Sequence, residues 1–510
     1  MTSILFSCSP LHGVAAEQEP DFFSDLNLDQ IVAAIIAGKE EYDLKPFFHQ
    51  VLAERESIEY RQNVFADLED TRLFESVRRF ANRMHDMRAH ITQAKKIRNR
   101  YEADGWFLEA IAMYCDAVRD FAAQLGAANL RSTGLTRFRE YLTAYIQNDT
   151  FRALVAEKSQ VESELAGVRY GIVIHDGGFS VLRYDNEADY SAVIDETFEK
   201  FQRSAVTDYL VTFKDHSSEM NHIEGQILLF VAKLFPEELG HLDSFCNQNR
   251  VYVDDVVARF DREVQFYVSY LEYIDRFRSA GLSVCYPVIS QRSDKVVFCQ
   301  DTFDMALARK LIDDGAAVVC NDFLLDSGER MIVVTGPNQG GKTTFARTFG
   351  QVHYLAAVGC PIAGTDAKLY LFDNLFTHFE REESIENLRG KLEDDLHRLH
   401  EIIEEATSFS IVILNEIFTS TTIHDAVFLS RHIMEKLLAR DVLGVWVTFI
   451  DELSILSSKT VSMVSTVVPD QPAMRTFKVV RRRADGLAYA LAIAEKYEVT
   501  YDALLERLPS

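Results

Sequence analysis

Lys342 stands behind two glycines, Gly340 and Gly341, and ahead of two hydroxyls, Thr343 and Thr344. The stretch they close begins Thr335-Gly336-Pro337-Asn338-Gln339. Glycines let a backbone turn its N–H groups inward with no Cβ in the way. A helix that starts just after them adds partial positive charge at the same point. A lysine there reaches β- and γ-phosphate oxygens, and a threonine hydroxyl there ligates Mg2+. The spacing Gly336…Gly341-Lys342-Thr343 is that of a phosphate loop, the Walker A motif, whose ligand is a nucleoside triphosphate such as ATP. The bland alternative is a plain turn between a strand and a helix. The neighbours weigh against it: the apolar run Met331-Ile332-Val333-Val334 reads as a strand into the loop, and Phe345 to Leu355 reads as a helix out of it.

A phosphate loop that hydrolyses its ligand needs an acid nearby to polarise water. Ile411-Val412-Ile413-Leu414-Asn415-Glu416 supplies a second apolar strand ending in one. Asn415 occupies the place of the usual first acid, leaving a neutral partner for Mg2+, and Glu416 is the expected base. Taken alone, Asn-Glu after a strand is an ordinary turn; the loop upstream gives it meaning.

Thr335 to Thr344 resembles the phosphate loop of the MutS DNA mismatch-repair ATPases, which place Pro-Asn-x-Gly-Gly there. Three further segments are similar to that family. Asn415-Glu416-Ile417-Phe418-Thr419-Ser420-Thr421-Thr422 resembles its acidic strand end. Val447-Thr448-Phe449-Ile450-Asp451-Glu452-Leu453 sits where the family has Ala-Thr-His-x-x-Glu-Leu. Gly486-Leu487-Ala488-Tyr489-Ala490-Leu491-Ala492-Ile493-Ala494 resembles its glycine-tyrosine-leucine segment. The resemblance runs from about Val318 onward and is weaker over the first half.

The resemblance implies a site. ATP would be held by Gly336, Pro337, Asn338, Gln339, Gly340, Gly341, Lys342, Thr343 and Thr344. Asn321, in Val318-Val319-Cys320-Asn321-Asp322, joins that set, although Val318 stands where family members commonly stack an aromatic on adenine. Thr343 and Asn415 would hold Mg2+, with Lys342 and Glu416 acting on the reaction. Asn387 to Asp395 sits where the family has a turn that reaches a second subunit's γ-phosphate. Arg389 and Gly390 are its candidates here, Gly390 standing in the usual serine's place; a simple helix cap is the alternative. Phe449 replaces a histidine and cannot hydrogen-bond. With Asn415 this makes two losses at the hydrolytic end, so slow ATP turnover is expected. In the family such domains close as a dimer around ATP and a helical lever carries the motion to DNA. The implied role is an ATP-gated dimeric clamp on mismatched, branched or otherwise structured DNA, with other repair proteins as further partners. The rival is an ATP-binding switch that recruits a protein and touches no DNA. Direct mismatch reading by a Phe wedge is not expected, because the residues before Tyr42 are too few for the domain that would carry it. A chromosome-maintenance type of ATPase would show a long heptad coiled coil and a Ser-Gly-Gly signature, and neither is present.

The elements that must position these residues divide the chain as follows: a segment 1–41, a helical core and lever 42–290 with a hairpin at about 168–185, and an α/β P-loop domain of ABC type at 291–510. The fold class expected is thus multidomain, all-α followed by α/β. Leu73, Val77, Phe80, Met84, Met87 and Ile91 recur at helical steps. Tyr170 to Tyr184 places two β-rich runs around Asp176-Gly177-Gly178, either a reduced DNA clamp or a hairpin that only packs on helices. Arg78, Arg79, Arg83, Arg88, Lys95, Lys96, Arg98 and Arg100 spread around their helix, as an ion-paired solvated surface or a phosphate-contacting face. Arg475, Lys478, Arg481, Arg482 and Arg483 form a second cluster, placed to meet phosphates of ATP or DNA or an acidic partner. Tyr497 to Leu508 reads as the start of a dimerisation tail.

The net charge of −25 opposes non-specific nucleic-acid binding, though local patches decide contact. Seven scattered cysteines without a CxxC pair read as free thiols of a cytoplasmic protein, and no apolar run approaches the roughly 20 residues of a membrane span.

Overall fold

A computed structural model describes residues 2–7, 18–184, 220–380, 390–469, 471–484 and 500. Two compact units emerge, and they do not divide the chain at 42 and 290. One unit takes 1–70, 130–136 and 262–510; the other takes 71–129 and 137–261.

The first unit is built on a six-stranded sheet. Its order is Leu375–Phe379, Ile411–Asn415, Leu443–Val447, Met331–Thr335, Thr460–Val468 and Gln471–Arg481. The first five strands are parallel and the last returns antiparallel. Every residue of Met331–Thr335, Ile411–Asn415 and Leu443–Val447 is buried. That explains their unbroken apolar runs: a parallel strand covered on both faces has no side to leave polar. Gly444 shows how tight the sheet is, since a Cβ there would stand 1.9 Å from the Val412 carbonyl oxygen. A smaller sheet, in the order Val288–Ser290, Asp366–Tyr370, Val297–Thr302 and Asn321–Leu325, completes the β-structure beside a short Val284–Cys285/Ile362–Ala363 pair.

The helix Lys342–Val358 follows the loop and is buried along almost its whole length. Its cover comes from the start of the chain, which explains why the N-terminal segment belongs to this unit. Gln351 donates to the Leu26 carbonyl at 2.9 Å, and the Tyr354 hydroxyl to the Phe48 carbonyl at 2.7 Å. The fully buried Arg61 donates to the carbonyls of Leu5 and Val358 at 3.0 and 2.7 Å.

The second unit is helical. Thr71–Lys96 packs along Arg100–Ala127, with Asp149–Ala166, His222–Leu234 and Pro236–Gln248 around them. Leu73, Val77, Phe80, Met84 and Met87 are buried as their spacing predicts; Phe80, Phe121, Phe138 and Phe260 form an aromatic core, with Phe138 and Phe260 stacked at 3.7 Å. The hairpin forms, pairing Tyr170–His175 with Gly178–Arg183 around a glycine turn, Gly177, at φ 82°. Its exposed residues include the apolar Ile172, Val173 and Ile174. Arg83, Arg88 and Arg100 are ion-paired with Asp120, Asp261 and Asp243.

Among the described residues no helix is long and apolar enough to cross a membrane. The six cysteines described are free, and Cys115, Cys246, Cys299 and Cys360 are buried.

Candidate functional site

Three neighbouring parallel strands end at one edge of the large sheet. Met331–Thr335 delivers the glycine loop, Leu443–Val447 delivers Thr448 and Phe449, and Ile411–Asn415 delivers Asn415 and Glu416. Open parallel sheets bind ligands at this carboxyl edge.

The loop is glycine-rich for two separable reasons. Gly336 and Gly341 take φ 112° and 90°, a backbone region that side chains resist. Gly336 and Gly340 also lie against the strand Thr460–Val468. A Cβ on Gly336 would stand 2.8 Å from the Ser465 carbonyl oxygen, and one on Gly340 would stand 2.2 Å from Ser465 Oγ. Gly341 is the N-cap of the helix Lys342–Val358, so the open amides of that helix face the loop.

Lys342 is nearly inaccessible, with 3% of its side chain exposed. Its ammonium donates to the carbonyls of Gly336 and Pro337 at 3.1 and 3.2 Å and to Asn338 Oδ1 at 3.3 Å. Glu416 Oε1 lies 3.5 Å away, and the Phe449 ring centroid 4.7 Å away. Burial pushes the ammonium pKa below the ordinary lysine value, Glu416 opposes that shift, and the charge of Arg475 adds to it.

Thr343 Oγ1 donates to Asn415 Oδ1 at 2.9 Å, so the two residues expected to share a metal do touch. Among the described residues, no group of three His, Cys, Asp or Glu is placed to hold a metal. These neutral oxygens suit a Mg2+ whose other ligands are phosphate oxygens and water. Glu416 takes a left-handed backbone, φ 51°, and so does Phe418, φ 62°. Such conformations cost of order 1–3 kcal/mol in a side-chain-bearing residue and cluster at working sites. Here they are held: Glu416 N donates to the Val447 carbonyl at 2.9 Å, and Phe418 N to Asp395 Oδ2 at 3.4 Å.

The donor set fits a nucleotide. There is a glycine cradle with no room for side chains, a buried cation beside it and a helix N-terminus. Two buried hydroxyls, Thr335 Oγ1 and Ser465 Oγ, also lack a hydrogen-bond partner among the described residues.

Other expected residues take different places. Asn321 uses both ends of its amide on the last strand, donating to the Phe477 carbonyl at 3.2 Å and accepting from Val479 N at 2.8 Å. It positions that strand. Gly390 caps the helix Lys391–Glu405 without a side chain, and a Cβ there would meet open space. The charge of Lys391 is taken by Glu380. Arg389 lies outside the described residues, as do Gly486 to Ala494 and all of Tyr497 to Leu508 but residue 500. In the second basic cluster Arg481 pairs with Glu329 and Lys478 donates to the Cys320 carbonyl, while Arg475 Nε donates to Asn338 O of the loop at 3.1 Å.

Three participants carry no local signal in the sequence. Ser465 backs the loop, and Phe477, half exposed with φ 57°, lies against Gly341. His378 Nε2 lies 2.9 Å from Asp395 Oδ1 in a buried pair beneath the Glu416–Phe418 turn.

The fold and site define a multidomain α/β protein with a glycine-loop site at the carboxyl edge of a parallel sheet. Residues 332–503 match the family model described as MutS domain V. The chain is 32% identical over 209 residues to the endonuclease MutS2 of Gemmatimonas aurantiaca, covering 39% of this chain and 25% of that protein. MutS2 of Thermus thermophilus is 31% identical over 187 residues, 36% of this chain and 25% of its own length. The DNA mismatch repair protein MutS of Thermotoga maritima is 25% identical over 218 residues, 42% and 28% respectively. The matched stretch thus spans about a quarter of these relatives.

Proposed function

We propose that this chain is a MutS-like ATPase that binds ATP with Mg2+ and turns it over slowly, using the cycle to close a dimer on structured DNA. The observation that carries the reading is the convergence of Lys342, the Thr343–Asn415 pair and Glu416 at one sheet edge. The loop amides and Lys342 would hold the phosphates, and Phe477 offers an exposed ring beside Gly341 for the base. Mg2+, held by Thr343 and shared with Asn415, would neutralise charge on the phosphates. Glu416, one-quarter exposed and held by its own backbone, would accept a proton from water. No group here matches the histidine lost at Phe449, and Asn415 carries no charge, so turnover is slow. The nuclease named in the MutS2 relatives is not part of this reading, because the match is to domain V.

The test is calorimetric titration of the purified chain with MgATP, followed by turnover with and without branched DNA. Failure to bind ATP overturns the reading at its root. A second reading has its own support. The ion-paired Arg83, Arg88 and Arg100 and the exposed apolar residues of the hairpin favour an ATP-binding switch that docks a protein. ATP binding without any DNA response would select it.

A further inference from the structure

We infer that Arg475 is a second phosphate-binding cation of this site, directed at the terminal phosphate, so that it sets the preference for a nucleoside triphosphate over a diphosphate. The inference rests on the nucleotide reading above and names a residue that neither the loop motif nor the family match assigns.

The first argument is place. Arg475 lies on the strand Gln471–Arg481, more than a hundred residues beyond the loop in sequence, yet its Nε donates to the Asn338 carbonyl at 3.1 Å. Lys342 reaches the same residue, its ammonium 3.3 Å from Asn338 Oδ1. Two cations therefore contact one exposed loop residue. Like charges brought together are unfavourable in the free protein and become favourable when an anion arrives between them. A guanidinium is the side chain whose fixed fork suits phosphate oxygens.

The second argument is construction. The strand pair Thr460–Val468/Gln471–Arg481 slips register between Ser465 and Val467 and again between Val467 and Val468. Such irregularities re-aim side chains and are common beside working sites. This one is locked. Thr466 Oγ1 and Thr476 Oγ1 are 2.5 Å apart, Thr476 Oγ1 donates to the Thr466 carbonyl at 3.0 Å, and Phe477 takes φ 57°. Asn321 then grips the strand on the far side of Phe477 through its two bonds to Phe477 O and Val479 N. The result is a fixed stalk that presents Arg475 to the loop.

The third argument is need. Asn415 and Phe449, on the neighbouring strands, bring no charge and no hydrogen-bond donor comparable to a histidine to the terminal phosphate. Arg475 brings both from the opposite flank of the loop.

The competing role is a mere brace, in which Arg475 only stiffens the loop through Asn338. The two roles differ in what they do to ATP and ADP. The experiment titrates the full chain, and the Arg475→Gln and Arg475→Lys variants, with MgATP and MgADP by calorimetry, with thermal unfolding run on each. We expect Arg475→Gln to weaken MgATP by about 10–100-fold, the scale of one hydrogen-bonded charge. MgADP should weaken by less than about 3-fold, and Arg475→Lys should recover part of the ATP affinity. Equal weakening of both nucleotides, or no weakening of either, overturns the inference and leaves a brace. If the unmodified chain binds neither nucleotide, the proposed function itself fails with it, an outcome distinct from the variant results. Should Arg475→Gln not fold, the ATP-to-ADP ratio of Arg475→Lys decides: a ratio unchanged from the unmodified chain overturns the inference.

Discussion

Asn415 keeps a carboxylate's shape and its hydrogen bond to Thr343 at 2.9 Å, and gives up the charge. A carboxylate there would attract Mg2+ and its bound water more strongly. Asn415→Asp should therefore lower the Mg2+ concentration for half-maximal turnover by roughly 10-fold, the scale of changes next to a metal. A magnesium titration of steady-state phosphate release reads this directly, and no shift would show that Asn415 is not near the ion. Glu416→Gln should keep MgATP affinity and lose turnover by about 10²–10⁴-fold, the usual worth of a positioned base. Unchanged turnover would remove Glu416 from the reaction. Both residues were legible in the sequence because a strand and the two residues after it are local. Ser465 and His378 were not, and Arg475 was legible only as one of a basic cluster that suits phosphate or an acidic partner surface alike. Each reaches the site only through the order in which strands lie side by side, which no spacing along the chain encodes. Asn321 misled for the same reason: its position before the loop suggested a ligand, while its amide is committed to a strand far along the chain.

The strands impose their own tests. Gly444 has no space for a methyl group, with the Val412 carbonyl oxygen 1.9 Å from where one would start. Gly444→Ala should cost several kcal/mol, at the upper end of overpacking effects, and appear as a large fall in unfolding temperature or as insoluble protein. At the opposite edge of the sheet from the glycine loop, Asp441 gathers Lys295 at 2.8 Å, Arg330 at 2.8 Å and Lys459 at 3.2 Å. Burial alone would raise its pKa. The bonds from Lys295, Arg330 and Lys459 outweigh that and hold the carboxyl well below the usual range. A carboxyl lowered in the folded state stabilises fully above its unfolded value, near ~4, and loses that contribution as pH falls through the folded value. Asp441 has φ 60°, a conformation asparagine accepts, so Asp441→Asn isolates the charge. Urea unfolding at pH 7 should show a loss of about 1–2 kcal/mol, discounted because a third of the side chain is exposed. The gap between the two proteins should narrow below about pH 4. A gap that stayed constant with pH would mean the carboxylate charge is not what Asp441 contributes.

At the scale of the molecule, the division into units depends on the burial of one helix. The loop helix Lys342–Val358 needs apolar cover, and residues 2–7 and 18–68 supply it, so the chain's first 70 residues join a unit whose other strands begin near residue 284. Contacts between residues some three hundred apart leave no periodicity, which is why the sequence put that boundary elsewhere. Charge sets what the helical unit can do with DNA. Net charge is −25, and Arg83, Arg88 and Arg100 are committed to carboxylates. Each phosphate neutralised by a cation steepens the fall of log affinity with log salt by about 0.9. A protein with few cations to spare should show a shallow slope, on the order of −3 or smaller in magnitude. We expect binding of the full chain to branched duplex to require MgATP, to exceed binding to linear duplex, and to follow such a slope from 50 to 200 mM salt. If binding is strong, steep in salt and indifferent to ATP, it is non-specific attraction to a basic surface, and the clamp reading falls. If neither duplex binds at any salt while MgATP does, the exposed apolar residues Ile172-Val173-Ile174 on the first strand of the hairpin become a place to look for a protein partner. Replacing those three residues with serine should then abolish that partner's capture and leave the ATP titration unchanged, because the hairpin and the loop belong to different units.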